Sequence, residues 1–125
     1  MQLQPTDGVT LQATATASVD LVHAQKVFPT MPTIVQFGYL EEMARVTRPG
    51  GFVVFDMLTE RCLDDATLAR WFAARLPAGP YPSATPRELA VAFLARREVH
   101  LTGSFLIATE PGITECMVFV RRNQC

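Results

Sequence analysis

The stretch LEEMARVTRPGGFVVFD, residues 40–56, places a helix, a glycine turn and an apolar strand directly after one another. Helical spacing extends this helix over Thr33 to Thr47, with the apolar positions on one side. Pro49 ends the helix, and the two glycines that follow it permit a sharp reversal of the chain. The apolar run Phe52 to Leu58 then predicts a strand covered on both faces, as in a parallel sheet flanked by helices.

A second strand-like run precedes this unit. VDLVHA, Val19 to Ala24, is apolar with two polar interruptions, and Pro29 follows it closely. We predict a strand that is buried on both faces. For His23, near its end, a hydrogen-bonded position in the core is favoured over a role as a base that lines a substrate pocket. Asp56, at the end of the next strand, is expected either to line a site or to fix the loop to the next helix.

Two further helices are predicted after the second strand. Asp64 or Asp65 can cap the helix DATLARWFAARL. Its buried stripe is expected at Leu68, Trp71, Phe72 and Leu76. PAGPYPSATP holds four prolines and is predicted to be a surface loop. TPRE, Thr85 to Glu88, has the pattern of a capping box and predicts a helix that reaches about Arg97.

The end of the chain has the pattern of a β-hairpin. VHLTGSFLIATE and TECMVFVRR are two strand-like runs separated by PGI. The predicted order is therefore strand, helix, strand, helix, helix, strand, strand. Such alternation gives an α/β fold with a mostly parallel sheet, to which the terminal hairpin adds one strand running against the others.

Composition and charge exclude several classes of protein. The chain has 125 residues, 49% of them apolar, which suits one globular domain. Lys and Arg number 11 against 12 for Asp and Glu, so the sequence offers no electrostatic footprint for nucleic acid. It lacks a signal-like amino terminus and any run approaching the ~18 apolar residues of a membrane span. Three widely spaced cysteines fit neither a disulfide framework nor a zinc site, so we expect a cytoplasmic protein with reduced thiols and no bound metal.

Taken together, SVDLVHAQKVF and YLEEMARVTRPGGFVVFD closely resemble the second half of the class I S-adenosylmethionine-dependent methyltransferases. That family has an acid-containing strand, then a loop and a helix, and a Leu-Arg-Pro-Gly-Gly turn before the next strand; here the turn reads Thr-Arg-Pro-Gly-Gly. The resemblance implies a Rossmann-like sheet, S-adenosylmethionine as cofactor and methyl transfer to a small-molecule acceptor. It also implies one partial domain over residues 1–125, incomplete at its amino terminus, because the family's glycine-rich loop and ribose-binding acid have no counterpart here.

The resemblance also implies where the cofactor lies. Ala24, Gln25, Lys26 and Phe28 lie at or just after the end of the first strand, in the region that faces the cofactor in the family. Asp7 and Gly8 lie where the family has an acid that contacts the adenine amino group. Ligands of open parallel sheets bind beyond the carboxyl ends of the strands, which agrees with this placement. No catalytic residue is assigned, since methyl transfer depends chiefly on in-line positioning.

Two other functional classes compete with this interpretation. One is a non-catalytic assembly module, because VDLVHA without a further neighbour is an apolar sheet edge that favours a homodimer. The other is a nicotinamide-dependent oxidoreductase, which shares the architecture but requires a G-x-G-x-x-G motif that is absent from this sequence.

Overall fold

The computed structural model describes residues 11–74, 83–108 and 113–122. The described chain contains two short 3₁₀ turns, Phe28–Thr30 and Glu60–Cys62, and seven longer elements. These are β1 (Val19–Ala24), α1 (Thr33–Val46), β2 (Thr47–Met57), α2 (Asp65–Ala74), α3 (Arg87–Ala95), β3 (Val99–Ala108) and β4 (Ile113–Arg121). The predicted order of strands and helices is confirmed.

The four strands form one mixed sheet in the order β1-β2-β4-β3. β1 and β2 run parallel, with Leu21 opposite Phe52 and Ala24 opposite Phe55. β4 lies antiparallel to both β2 and β3. The predicted α/β fold, a parallel pair extended by a reversed hairpin strand, is therefore confirmed.

One face of the sheet packs against α1 and α3 and forms the core. The side chains that meet there come from alternate positions of the strands and from the apolar side of each helix. The fully buried members are Leu40, Val53, Phe55, Ala90, Leu94, Val99, Met117 and Phe119. Phe55 stacks on Phe119 with ring centroids 5.3 Å apart. The apolar helix face and the apolar strand run of residues 40–56 thus pack against each other, as their patterns predict.

The opposite face of the sheet carries exposed apolar side chains. Leu21, Phe52 and Phe105 are 60%, 44% and 56% exposed. The prediction that Val19–Ala24 is buried on both faces is therefore wrong. β1 is one of the two edge strands of the described sheet. Its alternate side chains point away from the core, and on that face Leu21 lies beside Phe52.

The Pro-Gly-Gly turn lies at the amino end of β2. Gly50 adopts a φ of 85°, which favours glycine. A Cβ at Gly51 would lie 2.9 Å from the carbonyl oxygens of Arg48 and Asp20. The carbonyls at the end of α1 are bound by Arg121 of β4, whose Nη1 lies 3.1 Å from the oxygen of Ala44. The turn is structural, as expected, since it lies at the edge of the sheet opposite the loop after β1.

The predicted start of α2 is confirmed. Asp64 caps the helix, because its Oδ1 accepts the Thr67 N–H at 2.7 Å. The predicted buried stripe is wrong at Phe72, which is 72% exposed, whereas Thr67 is fully buried. Leu76 lies outside the described residues.

The capping box predicted for α3 is not formed. The helix begins at Arg87, and Pro86 occupies the capping position without a side-chain bond. The Thr85 hydroxyl donates to the Gln36 side chain instead. The Arg87 N–H is bound by the Glu60 carboxylate, with Oε2 at 3.0 Å. A carboxylate from a neighbouring segment thus satisfies the free N–H that the local motif was expected to bind.

No described helix is long and apolar enough to cross a membrane.

Candidate functional site

The parallel pairing of β1 and β2 brings their carboxyl ends to the same edge of the sheet. His23 lies opposite Val54 and Ala24 opposite Phe55, so the chain leaves β1 beside the last residues of β2. The loop that follows, Ala24 to Phe28, therefore extends beyond the strand tips. This is the edge at which open parallel sheets bind ligands.

The residues of this loop differ in exposure. Gln25 and Lys26 are exposed, and Val27 is 40% exposed. Ala24 is half-buried against the core. Phe28 is only 2% exposed and packs edge-on against Phe55, with ring centroids 5.3 Å apart. The loop is thus anchored in the core at both ends, while its middle presents side chains to solvent.

Asp56 fixes the middle of the same loop. This residue is 2% exposed at the end of β2, and its Oδ1 accepts the backbone N–H of Lys26 at 2.6 Å. Its Oδ2 accepts the hydroxyl proton of Thr114 on β4 at 2.7 Å. The sequence led us to expect a residue that lines the site or holds the loop to the next helix. The structure shows that it holds the loop after β1.

An apolar cavity of about 270 Å³ lies next to this loop. Residues of β1, α1 and the loop line it, with an additional contribution from the segment before β1. The loop contributes Ala24, Val27 and Phe28, and α1 contributes Tyr39 and Met43. His23 also lines the cavity and is exposed, so the predicted core position of this histidine is wrong.

A second polar cluster lies at the carboxyl end of β2. Glu115 of β4 is fully buried, and its carboxylate accepts hydrogen bonds from Thr59 Oγ1 at 2.7 Å, Arg87 Nε at 2.9 Å and Arg61 Nη1 at 3.1 Å. Burial acts to raise the pKa of Glu115, but hydrogen bonds from Thr59, Arg87 and Ser104 and the charge of Arg87 outweigh it. The pKa therefore lies below its usual range.

Sequence reasoning did not identify this cluster. The available signal was a glutamate inside the apolar run TECMVFVRR, because a carboxylate buried in a sheet requires partners. Arg87, Arg61 and Thr59 lie 28, 54 and 56 positions from Glu115, so no local pattern reveals them.

The other predicted site residues and thiols are placed as follows. Asp7 and Gly8 lie outside the described residues. Cys62 and Cys116 are buried and free. Within residues 11–74, 83–108 and 113–122, no group of histidine, cysteine or acidic side chains could hold a metal ion.

Solved structures show which fold this arrangement represents. The chain superposes on a magnesium protoporphyrin IX methyltransferase from Synechocystis PCC 6803 with a TM-score of 0.70 and 12% identity over 93% of its length. A SAM-dependent methyltransferase from Methanosarcina mazei gives a TM-score of 0.72 with 12% identity over 95%. This is the class I S-adenosylmethionine-dependent methyltransferase fold.

An O-methyltransferase family protein from Burkholderia thailandensis shares the methyltransferase fold with this chain, at a TM-score of 0.68 and 8% identity over 99% of the chain. The chain spans 49%, 66% and 36% of the length of these three structures. The Synechocystis enzyme holds bound SAH. No protein-family model and no curated protein sequence matches the chain.

Proposed function

We propose that this chain contributes to S-adenosylmethionine-dependent methyl transfer to a small-molecule acceptor in the cytoplasm. The observation that carries the proposal is the position of the exposed Gln25 and Lys26 beyond the parallel tips of β1 and β2. In open α/β sheets this is where the ligand binds. The methyltransferase fold of the chain and the SAH bound by one structure of that fold support the choice of cofactor.

The residues at this edge fit one side of such a cofactor. Ala24 and Val27 border an apolar cavity that suits a ring or a methyl group, while Gln25 and Lys26 offer polar groups to a hydrophilic substituent. Phe28 supports the loop from the core. Asp7 and Gly8 are proposed to contact the adenine. When bound, S-adenosylmethionine supplies an activated methyl group, and the chain supplies position and orientation.

We further propose that residues 1–125 form one partial domain, whose cofactor site is completed by a segment that precedes it or by a second polypeptide. The length that the chain covers in its structural neighbours supports this. Calorimetric titration with S-adenosylmethionine tests the proposal. The chain alone should bind weakly, and a protein extended by the coding sequence upstream of Met1 should bind strongly.

A matched pair of variants locates the binding surface. Lys26→Ala in the extended protein should weaken the binding of S-adenosylmethionine, because it removes an exposed polar side chain that we assign to the cofactor. Arg122→Ala removes an equal charge at the opposite edge of the sheet, beyond the end of β4, and should leave binding unchanged. Equal affinities for the extended protein and both variants would contradict the assignment of the loop.

One observation favours a second function, that of a non-catalytic assembly module. β1 pairs only with β2 among the described strands, and the adjacent Leu21 and Phe52 are both exposed. An unpaired apolar strand edge favours pairing with another strand. Under this alternative the chain forms a homodimer and does not bind S-adenosylmethionine in any form, whereas a monomer in light scattering excludes it.

A further inference from the structure

We propose that Asp56 is a positioning residue that holds Lys26 in a left-handed backbone conformation and thereby presets the loop Ala24–Phe28 for its ligand. The identity of the ligand is taken from the proposed function. The conformation of the loop is argued from the structure alone. Asp56 acts through the backbone of Lys26 and is assigned no contact with cofactor or acceptor.

The first step of the argument is the conformation of Lys26. Its φ is 60°, a value that L-residues with a side chain adopt rarely and at a cost. A residue in this region persists where its surroundings determine it. At Lys26 that determinant is the Asp56 carboxylate, which accepts the Lys26 N–H at 2.6 Å from a position 30 residues along the chain.

The second step is the rigidity of the carboxylate itself. Asp56 is 2% exposed and Thr114 is 6% exposed, and the hydroxyl of Thr114 binds the second carboxylate oxygen at 2.7 Å. Both residues belong to the central strand pair of the sheet, where Asp56 lies opposite Cys116 in the β2–β4 register. The Asp56 carboxylate is thus held by two strands, and its hydrogen bond with the Lys26 N–H fixes the loop relative to both of them.

The third step is what this arrangement does to the exposed part of the loop. The loop is bound on one side at Lys26 and on the other at Phe28, whose carbonyl oxygen accepts a hydrogen bond from Gln36 Nε2 at 2.8 Å. Within the loop Ala24–Phe28, the side chains of Gln25, Lys26 and Val27 are exposed. Fixing a loop before its ligand arrives lowers the entropic cost of binding.

Amide hydrogen exchange tests the conformational part in the chain without any ligand. Asp56→Ala should speed exchange at the Lys26 N–H by about tenfold or more, because the amide loses a charged acceptor. Asp56→Asn should retain most of the protection, because its amide oxygen can accept the Lys26 N–H and its amide nitrogen can donate to Thr114. Asp64→Ala is the matched control: it removes the acceptor of the Thr67 N–H at 2.7 Å and should affect exchange there and not at Lys26.

A glycine at position 26 provides a second test, because this substitution changes the backbone preference of an exposed residue. Glycine adopts positive φ without the cost that a side chain imposes, so the effect of Asp56→Ala on ligand affinity should be smaller in a Lys26→Gly background than in the wild-type background. Equal effects of Asp56→Ala in both backgrounds would show that Asp56 does not act through the backbone of Lys26 and would overturn the proposal.

Titration with S-adenosylmethionine separates this proposal from the proposed function. In the protein extended upstream of Met1, Asp56→Ala should weaken binding by about tenfold, Asp56→Asn should recover most of the loss, and Asp64→Ala should have no effect. Unchanged exchange at Lys26 in Asp56→Ala overturns the positioning role, whatever the affinity. Faster exchange with undiminished affinity overturns it as well. Faster exchange in a protein that never binds S-adenosylmethionine upholds the loop anchor and removes the proposed function.

Discussion

Thr114 and Glu115 are neighbours on β4, and their side chains anchor two different loops on opposite faces of the sheet. Thr114 binds Asp56, which holds the loop after β1. Glu115 binds Thr59 and Arg61 in the segment after β2, together with Arg87 at the start of α3. Adjacent residues of a strand point to opposite faces, so two consecutive positions of β4 hold two different segments at the carboxyl edge of β2.

The glycine turn provides a prediction about stability. Gly51→Ala should lower the free energy of unfolding by about 2 kcal/mol, because the new Cβ would lie 2.9 Å from two backbone oxygens. Gly103→Ala is the control, since a Cβ there meets nothing within 4 Å. Urea unfolding should show a lower free energy of unfolding for Gly51→Ala and not for Gly103→Ala. Equal effects would mean that the close approach at Gly51 is not restrictive.

The buried carboxylate provides a second prediction. Glu115→Gln should cost about 3 kcal/mol of unfolding free energy at neutral pH, since it leaves two arginines beside a buried site without their counter-charge. Glu88→Gln removes the partner of a largely exposed ion pair with the same Arg87, and should change stability by less than about 1 kcal/mol. If the two variants prove equally stable, the cluster around Glu115 is not a major source of stability.

The same carboxylate sets a dependence on pH. The pKa of Glu115 lies below its usual range in the folded protein. Its contribution to the free energy of unfolding is therefore complete at neutral pH, where this carboxyl group is ionised in both the folded and the unfolded state. It is lost as the pH falls from about 5, where the unfolded state takes up its proton, through the lower pKa of the folded state. The free energy of unfolding should therefore fall less between neutral and acidic pH in Glu115→Gln than in the wild type. Parallel curves would contradict the lowered pKa.

The two buried thiols should be unreactive in the folded protein. Burial raises the pKa of both Cys62 and Cys116, so little thiolate is available at mildly alkaline pH. In a Cys125→Ser variant, an alkylating reagent should label neither residue until denaturant is added, as mass spectrometry would report. Rapid labelling of the folded protein would show that one of these cysteines is accessible.

The exposed edge of β1 predicts where two copies of the chain would meet in a homodimer. Leu21→Lys places a charge where Leu21 and Phe52 form an apolar patch beside the free edge of β1, and it should convert a dimer to a monomer. Ile34→Lys is the control, because Ile34 is also strongly exposed but lies on α1. Light scattering distinguishes the two. A dimer that survives Leu21→Lys does not form through this edge.

Local patterns predicted the elements of residues 40–56 well. α1 ends at Val46, one residue before the predicted Thr47, because the following Pro-Gly-Gly sequence cannot continue a helix. β2 begins earlier than predicted, at Thr47, because Val19 of β1 pairs with Thr47 across the sheet. That boundary depends on a partner 28 positions away, so the local sequence does not define it.

The failures share the same cause. The Thr85 hydroxyl was predicted to cap its own helix, but Gln36, 49 residues away, binds it. Phe72 fits a helical apolar stripe and is nevertheless exposed, because periodicity identifies a face without showing what covers it. Asp56 was expected either to line the site or to fix the loop to the next helix, and in the structure it binds the backbone of Lys26 in the loop after β1.

The sequence by itself determined the order of strands and helices and the end of α1 before the Pro-Gly-Gly sequence, and it predicted the edge of the sheet at which we propose that a ligand binds. These depend on periodicity, proline and glycine, which act over a few neighbouring residues. Only the tertiary structure decided which side chains meet at that edge: Asp56 with Lys26, and Glu115 with Arg87. A buried polar group is satisfied by whichever donor the packing brings within about 3 Å, and Lys26 and Arg87 lie 30 and 28 residues from the carboxylates that they bind.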